Sequence, residues 1–518
     1  MERNPMLLRL LSTIALSAAL PAAVIATTPA DAQTQPPRAK IDMGTVSGTS
    51  EGQLDVFRGI PFAAPPQGPL RWKAPQPALP WTGVRAARSF GAACPQGPEH
   101  KEPWAQVGPM SEDCLFLNVW RPKRAGRYPV MVFLHGGGFT YGAAGVPLYD
   151  GAALAARGVV IVTVNYRLGR LGFFAHPALT REDPAGQLGN YAIMDQIAAL
   201  KWVKRNIASF AGDPANVTLF GESAGAGSVQ ILMGSPQSAG LFHKAISESG
   251  AGGSALFPIR GGAISAEKLG ELWATGLGLK DATPEQLRAI PLADVVKNGR
   301  AFPFIDGKVV VHSPGEPFFQ GKEMRIPLII GGNSNESSLG GMTEANAKIL
   351  LGPAFPDLLA GYVSYTGKAP AAAAIDLAED AGFVLPSFAL ADKHAATGAK
   401  AFVYYFDQVP VDQRAGSAGT DHGGELEYVF GTKPAEHRWD AQDAKVSKMM
   451  GDYWVRFART GDPNGAGAPR WPAVTTQPTA YLSIGADTKA ARLRPIQEKA
   501  KAATMADSLK KWAATPAP

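Results

Sequence analysis

Short apolar runs, rich in β-branched and aromatic residues, recur along the chain and are separated by longer stretches in which apolar positions have a helical spacing. Each run is continuous rather than alternating, which is typical of strands buried on both faces of a parallel sheet covered by helices. The helical spacing is clearest at residues 191–207 and 449–459. Strand and helix therefore alternate along most of the chain, and the pattern predicts an α/β fold. The predicted strands cover residues 128–134, 159–164, 217–220, 326–330 and 401–406.

The domain organisation follows from this alternation. At 518 residues the chain is long enough for about three domains of ordinary size. It contains no internal repeat and no long low-complexity linker, so we expect a single α/β domain over residues 33–518. Within it, residues 412–419 are predicted to form a flexible loop and residues 499–512 a helix.

The beginning of the chain has the organisation of a signal peptide, predicted over residues 1–32. Arg3 and Arg9 accompany a mostly apolar segment, and the motif Ala-Asp-Ala at 30–32 supplies the small residues of a cleavage site. The alternative is a membrane anchor. It is disfavoured because polar residues and a proline interrupt the apolar segment and leave no uniform span of about 20 residues. We expect cleavage after Ala32 and an exported protein, periplasmic or secreted, without a membrane span.

Composition and charge exclude several classes of protein. With 46% apolar and 18% charged residues, the chain is neither fibrous nor wholly disordered. Its net charge of +6 comes without a dense run of Lys and Arg, so we expect no nucleic-acid partner. The sequence has no metal-ligand cluster and no phosphate-binding loop, so neither a metal nor a cofactor is expected.

The chain has two cysteines, Cys94 and Cys114. In an oxidising compartment, two cysteines 20 positions apart can form a disulfide bond that closes a short loop. The alternative is a pair of free, buried thiols. A single bond of this kind is too little to define the fold, so the hydrophobic core must supply most of the stability.

The sequence Gly-Glu-Ser-Ala-Gly at 221–225 directly follows a predicted strand and opens a helical segment. This context is what a nucleophile elbow requires, because the serine lies on a sharp turn that closes only when small residues lie two positions to either side. We therefore predict that Ser223 is a nucleophile. The alternative is an ordinary glycine-rich turn in which the serine caps the helix.

A serine nucleophile needs a base to accept its proton, and in this arrangement an acid and then a histidine follow the serine along the chain. Three histidines come late enough: His394, His422 and His437. His394 lies in a helical pattern and His437 among charged residues. His422 lies in a glycine-flanked loop after the strand 401–406, from which it can approach the serine. We predict that His422 is the base.

The acid is expected between the serine and the histidine, at the end of a strand. Residues 326–330 lead into a polar loop whose carboxylate is Glu336. Asp306 and Asp407 are alternatives by their order in the chain, but Asp306 lies in a turn-like segment. We predict that Glu336 orients the imidazole and stabilises its protonated form.

A glycine-rich loop follows the predicted strand 128–134, where His135 and three glycines precede Phe139. Glycines let backbone N–H groups approach a substrate oxygen closely, so the loop is predicted to stabilise the oxyanion that forms when the serine attacks. The alternative is a loop that is merely flexible. His135 precedes the acid in the chain and is predicted to be structural.

Six segments together carry a family resemblance. Two long central blocks, at 189–207 and 210–226, are the most specific. On these residues the chain resembles the type-B carboxylesterase/lipase family, the cholinesterase-like branch of the α/β-hydrolases, and in particular a secreted bacterial carboxylesterase. The shorter matching segments are FRGIPFAAPPQGPLRW at 57–72, SEDCLFLNVWRP at 111–122, NYRLGRLGF at 165–173 and FARTGDPN at 457–464.

The resemblance implies an α/β-hydrolase fold and a serine esterase that cleaves a small-molecule carboxylic ester through an acyl-enzyme intermediate. An amidase or thioesterase with the same triad, and a non-catalytic cholinesterase-like binding domain, are the alternatives. Carried over residue by residue, the resemblance implies a triad of Ser223, Glu336 and His422, with oxyanion donors at the N–H groups of Gly137, Gly138 and Ala224. Close to the triad it implies a buried acidic pair, Glu222 and Glu425, and places Ser249 near Glu336. For the framework it implies a Cys94–Cys114 disulfide and the ion pairs Arg71–Glu112 and Arg167–Asp195.

The chain departs from the family pattern at the acid loop, where Asn-Glu-Ser at 335–337 replaces Asp-Glu-Gly. Trp104 lies where cholinesterases have a cation-binding tryptophan, although a packing role is the alternative. Phe139, Phe302 and Phe304 are expected to wall the acyl pocket, which predicts a preference for short or medium acyl chains or aryl esters. The alternative is that these three phenylalanines are ordinary core residues.

Overall fold

The computed structural model describes residues 35–97, 107–183, 189–340, 342–475 and 479–516. The predicted signal peptide and Trp104 lie outside these residues. The described residues from Pro37 onward form one compact unit. In this part of the chain, no helix combines the length and the apolar character needed to cross a membrane.

In the described ranges, the strands belong to two sheets, a small one of three strands and a main one of eleven. In chain order they are β1 (Arg38–Ile41), β2 (Gly44–Ser47), β3 (Thr49–Glu51), β4 (Leu54–Pro61), β5 (Val84–Ala86), β6 (Phe116–Pro122), β7 (Tyr128–Leu134), β8 (Val160–Val164), β9 (Gly212–Glu222), β10 (Lys244–Glu248), β11 (Leu328–Asn333), β12 (Ala401–Asp407), β13 (Ala480–Gly485) and β14 (Lys489–Arg492).

The α-helices lie between consecutive strands from β7 to β13, and one more follows β14. A π-helical turn, Asp380–Val384, joins two of them into one longer helical segment. In chain order the α-helices are α1 (Ala152–Ala155), α2 (Gly169–Gly172), α3 (Pro177–Glu182), α4 (Tyr191–Asn206), α5 (Ala224–Gly234), α6 (Ala266–Gly276), α7 (Pro284–Arg288), α8 (Leu292–Val296), α9 (Glu316–Gln320), α10 (Glu344–Leu351), α11 (Phe355–Thr366), α12 (Pro370–Glu379), α13 (Leu385–Ala396), α14 (Leu426–Phe430), α15 (Ala441–Thr460) and α16 (Pro495–Ala514).

The main sheet has the strand order β14-β13-β12-β11-β10-β9-β7-β8-β6-β4-β3. From β13 to β8 all neighbouring strands are parallel, and antiparallel strands flank them on both sides. Side chains of β7 alternate between two hydrophobic clusters, with Val130 and Val132 in one and Met131 and Phe133 in the other. Apolar side chains thus cover both faces of the sheet, and the predicted α/β fold is confirmed.

The predicted elements differ from the observed ones mainly at their ends. The strand predicted at 326–330 begins only at Leu328, because Pro327 has no N–H group to donate to a neighbouring strand. Helix α15 begins well before the predicted position, since the side chain of Asp440 accepts a hydrogen bond from the backbone N–H of Asp443 and caps the first turn.

A disulfide and two ion pairs tie irregular segments to this framework. Cys94 and Cys114 form a disulfide with their Cα atoms 5.0 Å apart. Both ion pairs implied by the family resemblance are present: Arg71 Nε lies 2.7 Å from Glu112 Oε2, and Arg167 Nε lies 2.8 Å from Asp195 Oδ2.

The parallel arrangement determines where the predicted site residues meet. Parallel strands have their carboxyl ends at one edge of the sheet. Ser223 directly follows β9, Glu336 lies in the loop after β11, and His422 lies in the loop after β12. The glycine loop follows β7, the neighbour of β9. Segments far apart in the sequence are therefore brought to one edge of the sheet.

Candidate active site

Ser223 lies on a strained turn between β9 and α5. Its backbone has φ 56° and ψ −121°, a left-handed conformation that is unfavourable for a residue with a Cβ atom. The turn packs so closely on the end of β7 that any side chain at Gly225 would collide with the carbonyl oxygen of Leu134. Strain of this kind persists only where the surrounding structure enforces it, and it is concentrated at functional sites.

The glycine loop lies beside this turn. Gly137 has φ 104°, and its carbonyl oxygen accepts hydrogen bonds from the N–H groups of Thr140 and Tyr141, which closes a tight turn. Within the described part of the chain, the N–H groups of Gly137, Gly138 and Ala224 donate to no other group. Three donors without acceptors next to a serine are suited to binding an oxyanion.

His135, at the start of the glycine loop, is buried and stacked on Tyr166 with ring centroids 4.4 Å apart. Its Nδ1 lies 2.8 Å from the carbonyl oxygen of Gly136. Burial lowers the pKa of His135 to about 4, so the ring is neutral at physiological pH. These contacts fit the structural role that the sequence predicted.

The imidazole of His422 and the carboxylate of Glu336 are in direct contact. His422 Nδ1 forms a short hydrogen bond with Glu336 Oε2. Glu336 is fully buried, and its Oε1 accepts hydrogen bonds from Ser249 Oγ at 2.7 Å and from the backbone N–H of Asn333 at 2.8 Å. The carboxylate is therefore held by two donors on one oxygen and contacts the imidazole with the other.

The other imidazole nitrogen faces a second carboxylate. Nε2 of His422 lies 3.0 Å from Oε1 of Glu222, in an ion-pair contact that lacks hydrogen-bond geometry. Burial alone would lower the pKa of His422, but the carboxylates of Glu336 and Glu222 outweigh burial and raise it to about 9. The pKa of Glu222 is raised to about 7 because the effect of burial is larger than the opposite effect of the charge on neighbouring His422. The protonation of the imidazole is thus governed by two carboxylates.

Further carboxyl groups are buried behind this pair. Glu425 accepts a hydrogen bond from Asn333 Nδ2 at 2.5 Å, and Glu248 accepts one from Trp454 Nε1 at 3.0 Å. Burial raises the pKa of Glu425 to about 8 and that of Glu248 well above its ordinary value. Sequence reasoning had singled out Glu222, Glu425 and Ser249 but missed Glu248. No local pattern distinguished Glu248, because Lys244 and Ser247 interrupt the apolar residues of its strand.

A cavity of about 1220 Å³ opens onto these residues, and both Ser223 and His422 line it. Its volume exceeds the roughly 300–1000 Å³ of ordinary small-molecule sites. Polar side chains also line it, among them Gln413, Lys433 and His437. The apolar part of the wall includes Phe139, Ile231, Leu256, Phe257, Phe302 and Phe383.

One predicted pocket residue lies elsewhere. Phe139 and Phe302 line the cavity, but Phe304 is only 2% exposed and belongs to the hydrophobic core. Its ring stacks behind Phe257, with centroids 6.3 Å apart, and Phe257 is the residue that reaches the cavity. The prediction for Phe304 is therefore corrected. Residues 301–304 form neither helix nor strand, so no regular alternation determines which side each ring faces, and here Phe302 lines the cavity while Phe304 packs in the core.

The other candidates for base and acid make different contacts. His394 is buried against Glu323, with Nδ1 3.0 Å from Oε1, and His437 Nδ1 lies 2.8 Å from Glu427 Oε2. Asp306 accepts hydrogen bonds from backbone N–H groups of its own turn, at Lys308, Val309 and Val310. Asp407 accepts one from Ser334 Oγ at 2.6 Å. Over the described residues, no group of three potential metal ligands comes together.

Comparisons with known proteins agree with the resemblance seen in the sequence. The model of the carboxylesterase family matches residues 35–352 and 361–506. Fumonisin B1 esterase of Sphingopyxis macrogoltabida is 36% identical over 473 residues, which cover 86% of this chain and 86% of that protein. Carboxylesterase 1D of Mus musculus is 35% identical over 498 residues, which cover 84% of this chain and 86% of that protein.

Solved structures give the same result for the fold. A PNB esterase aligns with a TM-score of 0.78 and 32% identity, over 90% of this chain and 99% of that one. A thermophilic PNB esterase aligns with a TM-score of 0.78 and 31% identity over the same shares. The predicted family and fold are confirmed: the chain belongs to the carboxylesterase family, adopts its α/β-hydrolase fold and is a carboxylic ester hydrolase.

Proposed function

We propose that the chain hydrolyses carboxylic esters through a triad of Ser223, His422 and Glu336 and an acyl-enzyme intermediate. The observation that carries this proposal is the contact of His422 with buried Glu336, on the same cavity as a serine in a strained strand–helix turn. Because the triad arrangement is recognised by geometry, this combination supports a nucleophile, a base and an acid in these roles.

In the proposed mechanism, neutral His422 accepts the proton of Ser223 as the serine oxygen attacks the ester carbonyl. The N–H groups of Gly137, Gly138 and Ala224 bind the oxyanion. The imidazolium then protonates the leaving alcohol. In the second half, the imidazole accepts a proton from a water molecule that attacks the acyl-enzyme, and the imidazolium returns this proton to the Ser223 oxygen as the acid is released. Throughout, Glu336 holds the ring orientation and stabilises the imidazolium.

For the substrate, we propose short- and medium-chain or aryl esters. The support is the apolar wall formed by Phe139, Phe257 and Phe302, against which an acyl or aryl group can pack. The cavity of about 1220 Å³ leaves room for a bulky group on the other side of the ester. Discrimination between chain lengths should be graded, since one methylene in an apolar pocket is worth only about 1–3 kcal/mol.

We also propose that residues 1–32 are a cleaved signal peptide, so that an exported catalytic domain begins at residue 33. The disulfide between Cys94 and Cys114 supports an oxidising compartment. Amino-terminal sequencing of protein recovered from the periplasm and the medium tests this. A retained Met1 in the exported protein would contradict it.

The test of the activity is a panel of p-nitrophenyl esters of increasing acyl length, with aryl, amide and thioester analogues. We expect ester hydrolysis with a graded optimum at short or medium chains and little amide cleavage. A fluorophosphonate probe should label wild-type protein at Ser223, and Ser223→Ala should lose about 10⁶-fold in kcat while keeping its melting temperature. Labelling of a different serine, or turnover by Ser223→Ala, would refute the assignment.

A further inference from the structure

Glu248 connects the strained turn of Ser223 to the far side of the sheet. It ends β10, the strand beside β9, and lies in register with Glu222. Its backbone carbonyl accepts the hydrogen bond from the N–H of Ser223, at 2.8 Å. This bond satisfies the N–H group of Ser223 at the point where the chain leaves the sheet, and it fixes the residue that carries the proposed nucleophile.

The next residue makes the corresponding connection to the acid. Ser249 also has a positive φ, 54°, and its N–H donates to the carbonyl oxygen of Gly331 at 2.9 Å. Its hydroxyl donates to Glu336, as described above. Two consecutive residues, Glu248 and Ser249, therefore hold the serine turn on one side and the acid on the other.

The side chain of Glu248 is anchored on the opposite face from Ser249. Residues two apart on a strand share a face, and Ile246 belongs to the same hydrophobic cluster as Trp454 of α15. The indole Nε1 of Trp454 donates to Oε1 of Glu248 at 3.0 Å, and both side chains are fully buried. A displacement of the backbone at Glu248 would stretch or break this bond deep in the core, where an unpaired indole N–H is costly.

Resting on the proposed function, we propose that Glu248 is a positioning residue for Ser223. The hydrogen bond from Trp454 fixes the side chain of Glu248 and with it the backbone at this position. The carbonyl oxygen of Glu248 then keeps the N–H group of Ser223 in place. The side chain acts as a hydrogen-bond acceptor. Its second oxygen, Oε2, has no hydrogen-bond partner in the described part of the chain. The contact with Trp454 needs only an acceptor oxygen, and a neutral side chain with such an oxygen can supply it.

The test compares Glu248→Leu, which keeps the volume but removes the acceptor, with Glu248→Gln, which keeps an acceptor oxygen for Trp454. Active sites are first counted with a fluorophosphonate, so that kcat refers to intact sites alone. We expect Glu248→Leu to lower kcat per site about tenfold or more and to slow phosphonylation, with KM within about twofold, because small displacements of a nucleophile are costly. Glu248→Gln should recover to within about threefold of wild type.

A matched control is Glu323→Leu, which removes a buried carboxylate paired with His394, and neither of these residues lines the cavity. It should lower the melting temperature without changing kcat per site. If Glu248→Leu behaves in the same way, Glu248 is merely structural and the proposal is overturned. If Glu248→Gln is as impaired as Glu248→Leu, the acceptor role is also refuted.

Should Glu248→Leu fail to fold, Trp454→Phe removes the donor from the other side and decides the question. A loss of kcat per site at unchanged KM supports the proposal, and an unchanged value overturns it. Failure of the proposed function is distinguishable, because wild-type protein would then not be labelled at Ser223. Normal labelling with unaffected variants refutes only the positioning role of Glu248.

Discussion

Glu222→Gln tests how much each of the two carboxylates beside His422 contributes to the pKa of its imidazole. The change replaces the carboxylate 3.0 Å from Nε2 with a neutral amide of the same size and leaves Glu336 in place at Nδ1. The pKa of His422, raised to about 9 with both carboxylates present, should therefore fall.

The magnitude follows from the contact distance. Opposite unit charges about 4 Å apart attract by about 4 kcal/mol at an effective dielectric constant of about 20. The pKa of Glu222, raised by burial to about 7, means that this carboxyl is only partly ionised near neutral pH, which reduces the effect. An opposite charge at this range typically shifts a pKa by about 1–3 units, and we expect a fall of that size for His422.

The direction of the kinetic change can be worked out from the proton transfer. In the proposed mechanism only the neutral imidazole can accept the proton of Ser223, so kcat/KM should rise as the pH rises through the pKa of His422. In Glu222→Gln this rise should move to lower pH. The plateau of kcat/KM at high pH should also fall. Glu222 stabilises the imidazolium, and roughly half of that lost stabilisation applies in the transition state, where the proton is half transferred. The expected fall is therefore about 3–30-fold.

The assay is kcat/KM for a simple ester, measured by pH-stat titration from about pH 5 to 10. Glu323→Gln is the control, because it alters a similar buried pair with His394 away from the cavity and should leave the profile unchanged. A rise that stays at the wild-type pH together with an unchanged plateau would refute the reasoning, and so would a shift to higher pH.

Three further predictions concern the disulfide, the pocket and the acid. Peptide mapping without reduction should recover Cys94 and Cys114 joined, and loss of the bond should lower the free energy of unfolding by about 3 kcal/mol; two alkylatable thiols in exported protein would contradict this. Phe257→Ala should move the acyl-length optimum upward, whereas Phe304→Ala should lower stability by about 3–5 kcal/mol with an unchanged chain-length profile. Ser249→Ala removes one hydrogen-bond donor to Glu336 and should lower kcat by roughly tenfold, since a hydrogen bond to a charged group is worth about 1.5–3 kcal/mol. Unchanged kinetics would show that Ser249 does not belong to the site.

The architecture could be predicted because its signals are local. Continuous apolar runs identified buried parallel strands, and the run at 128–134 coincides with β7. Once the strands were known to be parallel, the residues that follow them had to meet at one edge of the sheet. Ser223, Glu336 and His422 could therefore be selected from chain order and strand ends, and the structure brings Glu336 and His422 into contact.

Contacts that depend on side-chain direction could not be predicted in the same way. Phe302 and Phe304 lie in one short irregular segment, and nothing in their spacing tells which ring faces the cavity and which the core. The contact of His422 with Glu222 likewise depends on the path of the loop before His422. Glu248 was missed because its side-chain contact is with Trp454, 206 positions later in the chain, and no local pattern reveals such a contact.

The buried carboxyl groups also have a consequence for stability that only the structure reveals. The pKa of Glu425 is raised by burial to about 8, whereas in the unfolded chain it would have an ordinary value near 4.5. A carboxyl group whose pKa is raised by folding destabilises the folded state increasingly as the pH rises from its pKa in the unfolded chain toward its pKa in the folded protein. At neutral pH the burial of Glu425 and Glu248 therefore destabilises the folded state. The protein keeps Glu425 and Glu248 buried behind its candidate triad nonetheless, and this favours a role for them in holding the catalytic geometry over one in stabilising the fold.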